Sequence, residues 1–181
     1  PCPPGIVYEK LFTKTLAERF AMDEKTLSAI IEEEKDALFV VAFHYCKNRF
    51  DAEDAVQNAM LRLLSAKKPF ASREHLRRWL IRVTVNECKR LLMSPWRQRV
   101  ESLETCRQSF GIVQQEERAL FDAVMALPQK YRVVVALYYY QGYSVREVAA
   151  LLGRRESAVQ TQLMRARQKL KDSLQEVWQD E

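Results

Sequence analysis

Residues 144–167, SVREVAALLGRRESAVQTQLMRAR, decide how this chain reads. Ser144 and Glu147 stand at N-cap and N3 spacing, so each can satisfy an orphan N–H at the start of a helix. Val148, Leu151 and Leu152 give that helix an apolar face, and Gly153 stops it. After a short basic turn, Val159, Leu163, Ala166 and Leu170 share one side of a second helix. Two short helices joined by a glycine-containing turn form the helix-turn-helix pattern, whose second helix can lie in a DNA major groove.

Opposite the second helix's apolar stripe lie Ser157, Gln160, Thr161, Met164 and Arg165, a series i, i+3, i+4, i+7, i+8 on one face. Glutamine can pair with adenine and arginine with guanine at the major-groove edge. Arg154, Arg155, Arg167 and Lys169 lie close by and suit phosphates, which orient a protein without reading sequence. The same spacing also fits a solvated basic helix of a bundle.

Working outward, the chain is helix after helix. Among its 181 residues are only 4 Gly and 6 Pro, with 48% hydrophobic residues, which points to an all-α globular protein. Leu27, Ile30, Ile31, Leu38, Val41, Ala42 and Tyr45 recur at helical spacing. Residues 48–50 break that helix, and Asp51 is the expected N-cap of the next. Its apolar face is Ala55, Val56, Ala59, Met60, Leu63 and Leu64, and Lys67, Lys68 and Pro69 end it. Ser72 caps a third helix running to about Leu92, with Leu76, Trp79, Leu80 and Val83 inward; Ser94-Pro95 closes the unit. Residues 95–115 are polar and read as a linker. From Glu116, Leu120, Val124 and Leu127 face inward, Pro128 opens a helix containing Tyr131, Val134, Val135 and Tyr138, and Gly142 ends it. The expected organisation is thus two small helical domains, 23–94 and 116–178, with Trp79 and Tyr131 in their cores. Residues 1–22 are expected to be an extension, with Met22 the natural initiator; the rival reading makes LFTKTLAERF a short helix.

Net charge is +5, favouring an acidic partner such as nucleic acid. The charge is unevenly placed. Residues 23–54 hold nine acids against four bases, and residues 154–171 hold six bases against Glu156 alone. Cys2, Cys46, Cys88 and Cys106 form no CxxC pair, and Cys46 and Cys88 sit in apolar helical patterns, as reduced buried thiols of a cytoplasmic protein would. No apolar run reaches the ~18 residues of a membrane span, and no signal peptide is evident.

Two further segments could carry function. Residues 72–92 present Arg73, Arg77, Arg78, Arg82, Lys89 and Arg90 against Glu74 and Glu87. Arg78, Arg82 and Asn86 form an i, i+4, i+8 stripe, and the aromatics Phe70 and Trp79 lie near it, able to stack on an unpaired base or to pack as core. The segment Asp51, Ala52, Glu53, Asp54, Ala55, Val56, Gln57 opens a helix with three acids, which the helix dipole alone would favour. The two histidines, His44 and His75, lie far from these acids, and no phosphate loop or nucleophile motif is present, so the reading is not an enzyme, with no cofactor, no metal and no small-molecule substrate.

Three of these motifs together resemble the sigma-70 family of bacterial transcription initiation factors, in its extracytoplasmic-function (ECF) group. DAEDAVQNAMLRLL looks like the polymerase-binding helix of the second conserved region. HLRRWLIRVTVNECKRLL looks like the helix that recognises the −10 promoter element. ALPQKYRVVVALYYYQGYSVREVAALLGRRESAVQTQLMRARQKL is similar to the fourth region, which reads the −35 element. The resemblance covers nearly all of 23–175, in the expected order. It implies an alternative sigma factor that binds core RNA polymerase, recognises both promoter elements and helps to melt DNA. It places Asp51, Glu53, Asp54 and Gln57 in the segment that docks on the β′ clamp. It places Phe70, Ser72 and Arg73 in the loop that holds a flipped −10 base, and Arg78, Arg82, Asn86 and Lys89 on the melting and −10 face. Arg154, Arg155, Ser157, Gln160, Thr161, Met164, Arg165, Arg167 and Lys169 would form the −35 face, the fourth region also meeting the β flap. An anti-sigma factor, in this group often membrane-associated, is a further implied partner.

There are departures. Arg90 stands where many relatives carry Asp, and Met93-Ser94 where many carry bases. Arg155 replaces the usual Ser/Thr cap before the reading helix, and Gln160 and Gln162 stand where Lys and Arg are frequent. An ordinary helix-turn-helix regulator explains 116–178 equally well but leaves 51–57 and 72–92 without a role. A helical adaptor leaves the clustered charge unexplained. The sequence leaves the relative orientation of the two units open.

Overall fold

The computed structural model describes residues 24–66, 70–93, 107 and 114–179. The expectations for residues 1–22, for Lys67 to Pro69, for Ser94-Pro95, for Cys2 and Cys106, and for most of the linker lie outside the described residues. Among the described residues, seven α-helices run in order: α1 Glu24–Cys46, α2 Arg49–Leu64, α3 Arg73–Leu92, α4 Gln115–Ala126, α5 Gln129–Val135, α6 Val145–Leu152 and α7 Glu156–Gln179. Helix α5 runs on into a π-helical turn, Ala136–Tyr140. No strand occurs among the described residues, so the fold is all-α.

Local signals set most boundaries. Ser72 caps α3 by accepting from the His75 N–H, and Ser144 and Glu147 form the reciprocal capping box of α6. Gly153 ends α6 at φ 64°, a left-handed conformation that costs a residue with a Cβ about 1–2 kcal/mol. The next N–H, of Arg154, then reaches back to the Ala149 carbonyl at 2.9 Å, closing the helix end.

Two expectations need correction. Asp51 is not the N-cap of α2. Asn48 is, in extended conformation, and its side chain accepts from the Asp51 N–H at 2.9 Å. Lys47 at φ 54° turns the chain sharply enough for α2 to start two residues before Asp51. Asp51 instead lies in the first turn, where its charge faces the helix dipole. Leu120 does not face inward but is 45% exposed; its neighbour Phe121 is buried instead. Trp79 is half-buried against the main core, whereas Tyr131 is buried in a smaller cluster with Leu127, Val135 and Ala166.

The helices on either side of the linker share one hydrophobic cluster. It runs from Leu38, Val41 and Phe43 of α1 through Leu80 and Val85 of α3 to Phe121, Val124, Val134, Leu137 and Val148. Helix α1 is its axis. Residues 41–46 are all buried, with α2 and α3 on one side and α5 on the other. The Phe43 and Phe121 rings stack at 6.4 Å. Fully burying one such ring stabilises by about 1.5–3 kcal/mol.

Polar groups tie the same junction. The buried Arg132 guanidinium donates to the His44 carbonyl at the end of α1 and to the Leu127 carbonyl at 2.8 Å. Gln129 Nε2 donates to the Tyr45 carbonyl at 3.0 Å. Arg77 of α3 lies 3.2 Å from the buried Glu34 carboxylate, donates to Gln141 at 3.1 Å and covers the Tyr143 ring. Burial pushes the Tyr143 phenol up to about 12.

Candidate nucleic-acid interface

The apolar stripe of α7 is consumed by packing: Val159, Leu163 and Ala166 are buried. Its opposite face is open. Ser157, Gln160, Thr161, Met164 and Arg165 are all exposed, and so are Arg155, Arg167 and Lys169. Arg154 is half-buried and donates to Gln162 at 2.8 Å, which fixes the turn before α7. Arg155 occupies the cap position through its backbone, its carbonyl accepting from the Val159 N–H at 3.2 Å. The Thr161 hydroxyl donates to the Ser157 carbonyl at 2.8 Å, leaving its oxygen as an acceptor. The exposed Met164 is an apolar surface suited to a thymine methyl.

Aromatic hydroxyls orient two of the cations. Arg167 donates to the Tyr139 hydroxyl at 2.7 Å and lies over the Tyr138 and Tyr139 rings. A cavity of about 300 Å³ between α5 and the first turns of α7 is lined by Lys130, Tyr131, Ser157, Ala158, Thr161, Gln162 and Arg165. The Arg165 guanidinium beside the Tyr131 hydroxyl holds that phenol below its ordinary value. Sequence reasoning missed Lys130 and Tyr131, because α5 is not part of the helix-turn-helix. A base flanked by an aromatic just after Leu127-Pro128 was the available signal.

The basic face of α3 is built differently. Arg82, Asn86 and Lys89 are exposed on one side of the helix. Arg73 pairs with Glu33 of α1, and Arg78 lies 3.3 Å from Glu74 and 3.8 Å from Glu147 of α6. Of the loop residues expected to hold a flipped base, Ser72 spends its oxygen on the α3 cap, and Phe70 packs edge-on to Trp79 at 5.3 Å. The acidic segment opens α2. Glu53, Asp54 and Gln57 are exposed and Asp51 half-buried, and Glu53 pairs with Arg49 at 2.7 Å. The exposed Phe50 and Leu61 stand at i−4 and i+7 from Asp54 on the same helix, apolar neighbours that the sequence reading passed over.

Together these features define a helical DNA-binding protein with a helix-turn-helix, a second basic helix and a separate acidic face. Residues 30–98 match the description "Sigma-70 region 2" and residues 117–170 match "Sigma-70, region 4". The chain is 28% identical over 142 residues to RNA polymerase sigma factor SigV of Bacillus subtilis, covering 77% of this chain and 86% of that one. It is 29% identical over 174 residues to ECF RNA polymerase sigma factor SigM of Mycobacterium tuberculosis, covering 93% and 89%. Its fold is similar to that of the sigma factor RpoE in complex with the anti-sigma factor NepR from Bartonella quintana (TM-score 0.64, 19% identity, 83% of this chain and 98% of that one). It is also similar to CnrH in complex with the cytosolic domain of CnrY (TM-score 0.63, 23% identity, 90% and 96%).

The chain belongs to the sigma-70 family, in its ECF group. It is an alternative sigma factor that directs transcription initiation.

Proposed function

We propose that the chain divides its task among three faces, and that it makes and breaks no bonds itself. Region 2, residues 23–94, docks on the β′ clamp of core RNA polymerase through Asp51, Glu53, Asp54 and Gln57, flanked by Phe50 and Leu61. The loop at Phe70, Ser72 and Arg73 with the α3 face of Arg78, Arg82, Asn86 and Lys89 engages the −10 element and traps an unpaired base. Capturing a flipped base offsets an unstacking cost of a few kcal/mol. Region 4, residues 116–178, meets the β flap and reads the −35 element. Ser157, Gln160, Thr161, Met164 and Arg165 face base edges there, and Arg154, Arg155, Arg167 and Lys169 face phosphates. Residues 95–115 link the two, with residues 1–22 an N-terminal extension, and the work is done in the cytoplasm. The solved relatives bound to NepR and to CnrY support a protein inhibitor as a further partner for this chain.

One observation carries this reading. The α7 face at Ser157, Gln160, Thr161, Met164 and Arg165 stays open, while the opposite face of the same helix, at Val159, Leu163 and Ala166, is buried in packing. The test is genome-wide transcription in vitro with core polymerase and the full chain. New promoter-specific starts are expected. Arg165→Ala should lose about tenfold or more in promoter activity while polymerase affinity persists, a bidentate base contact being worth about 1–3 kcal/mol. Asp54→Ala should show the reverse. Equal loss of polymerase affinity in Arg165→Ala would contradict the assignment.

A further inference from the structure

The departure at Arg90 has a built partner. Glu87 of α3 is a carboxylate only 3% exposed, and each of its oxygens meets a different arginine. Arg62 of α2 places Nε 2.6 Å from Oε1. Arg90 places Nε 2.9 Å and Nη2 2.8 Å from Oε2. A buried carboxylate needs a cation, because an unpaired one costs several kcal/mol. One arginine would suffice for charge balance. Here there are two, so the cluster carries a net positive charge, and both guanidinium side chains remain more than half exposed, at 58% and 59%.

The two are not equivalent in direction. Arg90 continues the exposed series Arg78, Arg82, Asn86 by another four residues, so it lies on the same stripe of α3. Its Nε and Nη2 are held by Glu87, leaving the Nη1 edge for another acceptor. Arg62 sits on the docking helix instead. A guanidinium already fixed on one edge loses less freedom when it takes a second anion, and its planar fork matches a phosphate.

We propose that Arg90 is a further contact of the −10 face, binding a DNA backbone phosphate, and that Glu87 is the positioning residue that holds it there. This rests on the assignment of α3 to the −10 element. The choice of phosphate over an acidic protein surface follows from the stripe, whose exposed neighbours Arg82 and Lys89 are basic.

The test measures holoenzyme affinity against salt concentration, on a promoter fragment recovered by the genome-wide transcription above. Each phosphate contact contributes about 0.9 to the slope of log K against log salt on duplex DNA, or about 0.7 on a single strand. Arg90→Ala should lower the slope by that amount and weaken binding roughly tenfold at low salt. Arg62→Ala removes the other partner of the same carboxylate and should leave the slope unchanged. Arg90→Lys, which keeps the charge but not the fork, should keep the slope and lose part of the affinity. Because each alanine variant leaves Glu87 one arginine, both retain a cation for the buried charge. An unchanged slope in Arg90→Ala, or equal slope losses in the two alanine variants, overturns the inference. So does a fall in affinity for core polymerase with the DNA slope intact, which would make Arg90 a protein contact. Absence of promoter-specific starts with the unsubstituted chain would overturn both this and the α3 assignment.

Discussion

Helices α3 and α7 both present arginines to solvent, and they hold them in opposite ways. On α3 the partners are carboxylates: Glu33 for Arg73, Glu34 for Arg77, Glu74 and Glu147 for Arg78, and Glu87 for Arg90. On α7 and in the turn before it they are neutral: Gln162 for Arg154, the Tyr131 hydroxyl beside Arg165, and the Tyr139 hydroxyl for Arg167. A carboxylate partner fixes a guanidinium and offsets its charge, in full where the pair is one to one and in part at Glu87, which two arginines share; amide and phenol partners leave the charge. Helix α3 also forms part of the junction between the two halves of the protein, where cation and acid hold helices together. Helix α7 contributes to packing through its apolar stripe and leaves its basic side chains in solvent.

The comparison is tested most strongly at the junction. Arg77→Ala removes the cation beside the buried Glu34 carboxylate, whose pKa burial raises and Arg77 lowers. The variant should lose about 3 kcal/mol of stability by urea unfolding. A loss under about 1 kcal/mol would mean that the α3 pairs are no more structural than those of α7.

Acid should act on the junction and spare α7. Burial holds the His44 imidazole down to about 4, and its Nδ1 donates to the Val40 carbonyl at 2.8 Å. The folded pKa lies below the ordinary 6.5, so the unfolded chain takes the proton first as pH falls. Stability is therefore full above pH 6.5 and declines toward pH 4, by about 2 kcal/mol at pH 5. His44→Leu should flatten that limb between pH 6.5 and 5 in urea titrations at stepped pH. An unchanged limb would exclude His44 as its source.

The smallest effect is expected on α7. Arg167→Ala removes an exposed hydrogen bond and a cation–π contact and should cost under about 1 kcal/mol. A thermal shift larger than that of Arg77→Ala would reverse the contrast between the two helices.

Much of the fold was legible because its signals are local. The Ser144–Glu147 box, Ser72 at its cap and Gly153 at its turn each act within three or four residues, and the apolar stripes of α2, α6 and α7 follow from helical period alone. Where two candidates stood side by side, the sequence was a poorer guide. Asn48 and Asp51 are both capping residues; the left-handed Lys47 chose between them. Leu120 and Phe121 are adjacent apolar residues, and the stacked Phe43 ring chose Phe121. At the candidate site, the α7 face follows residue by residue from helical spacing. Lys130 and Tyr131 do not, since they reach that face from another helix.

By itself, then, the sequence determined the helices, the caps at Ser72, Ser144 and Gly153, the helix-turn-helix and the residues turned away from its core, because these depend on neighbours within about two helical turns. Tertiary structure alone decided that α1 forms one core with both halves and that Arg132 closes its end. It also decided that Glu87 is buried between two arginines, and that α3 and α7 hold their cations by opposite means. Those choices depend on which chain-distant groups meet in a dry interior, where an unmatched charge or carbonyl is costly and a matched one is held in place.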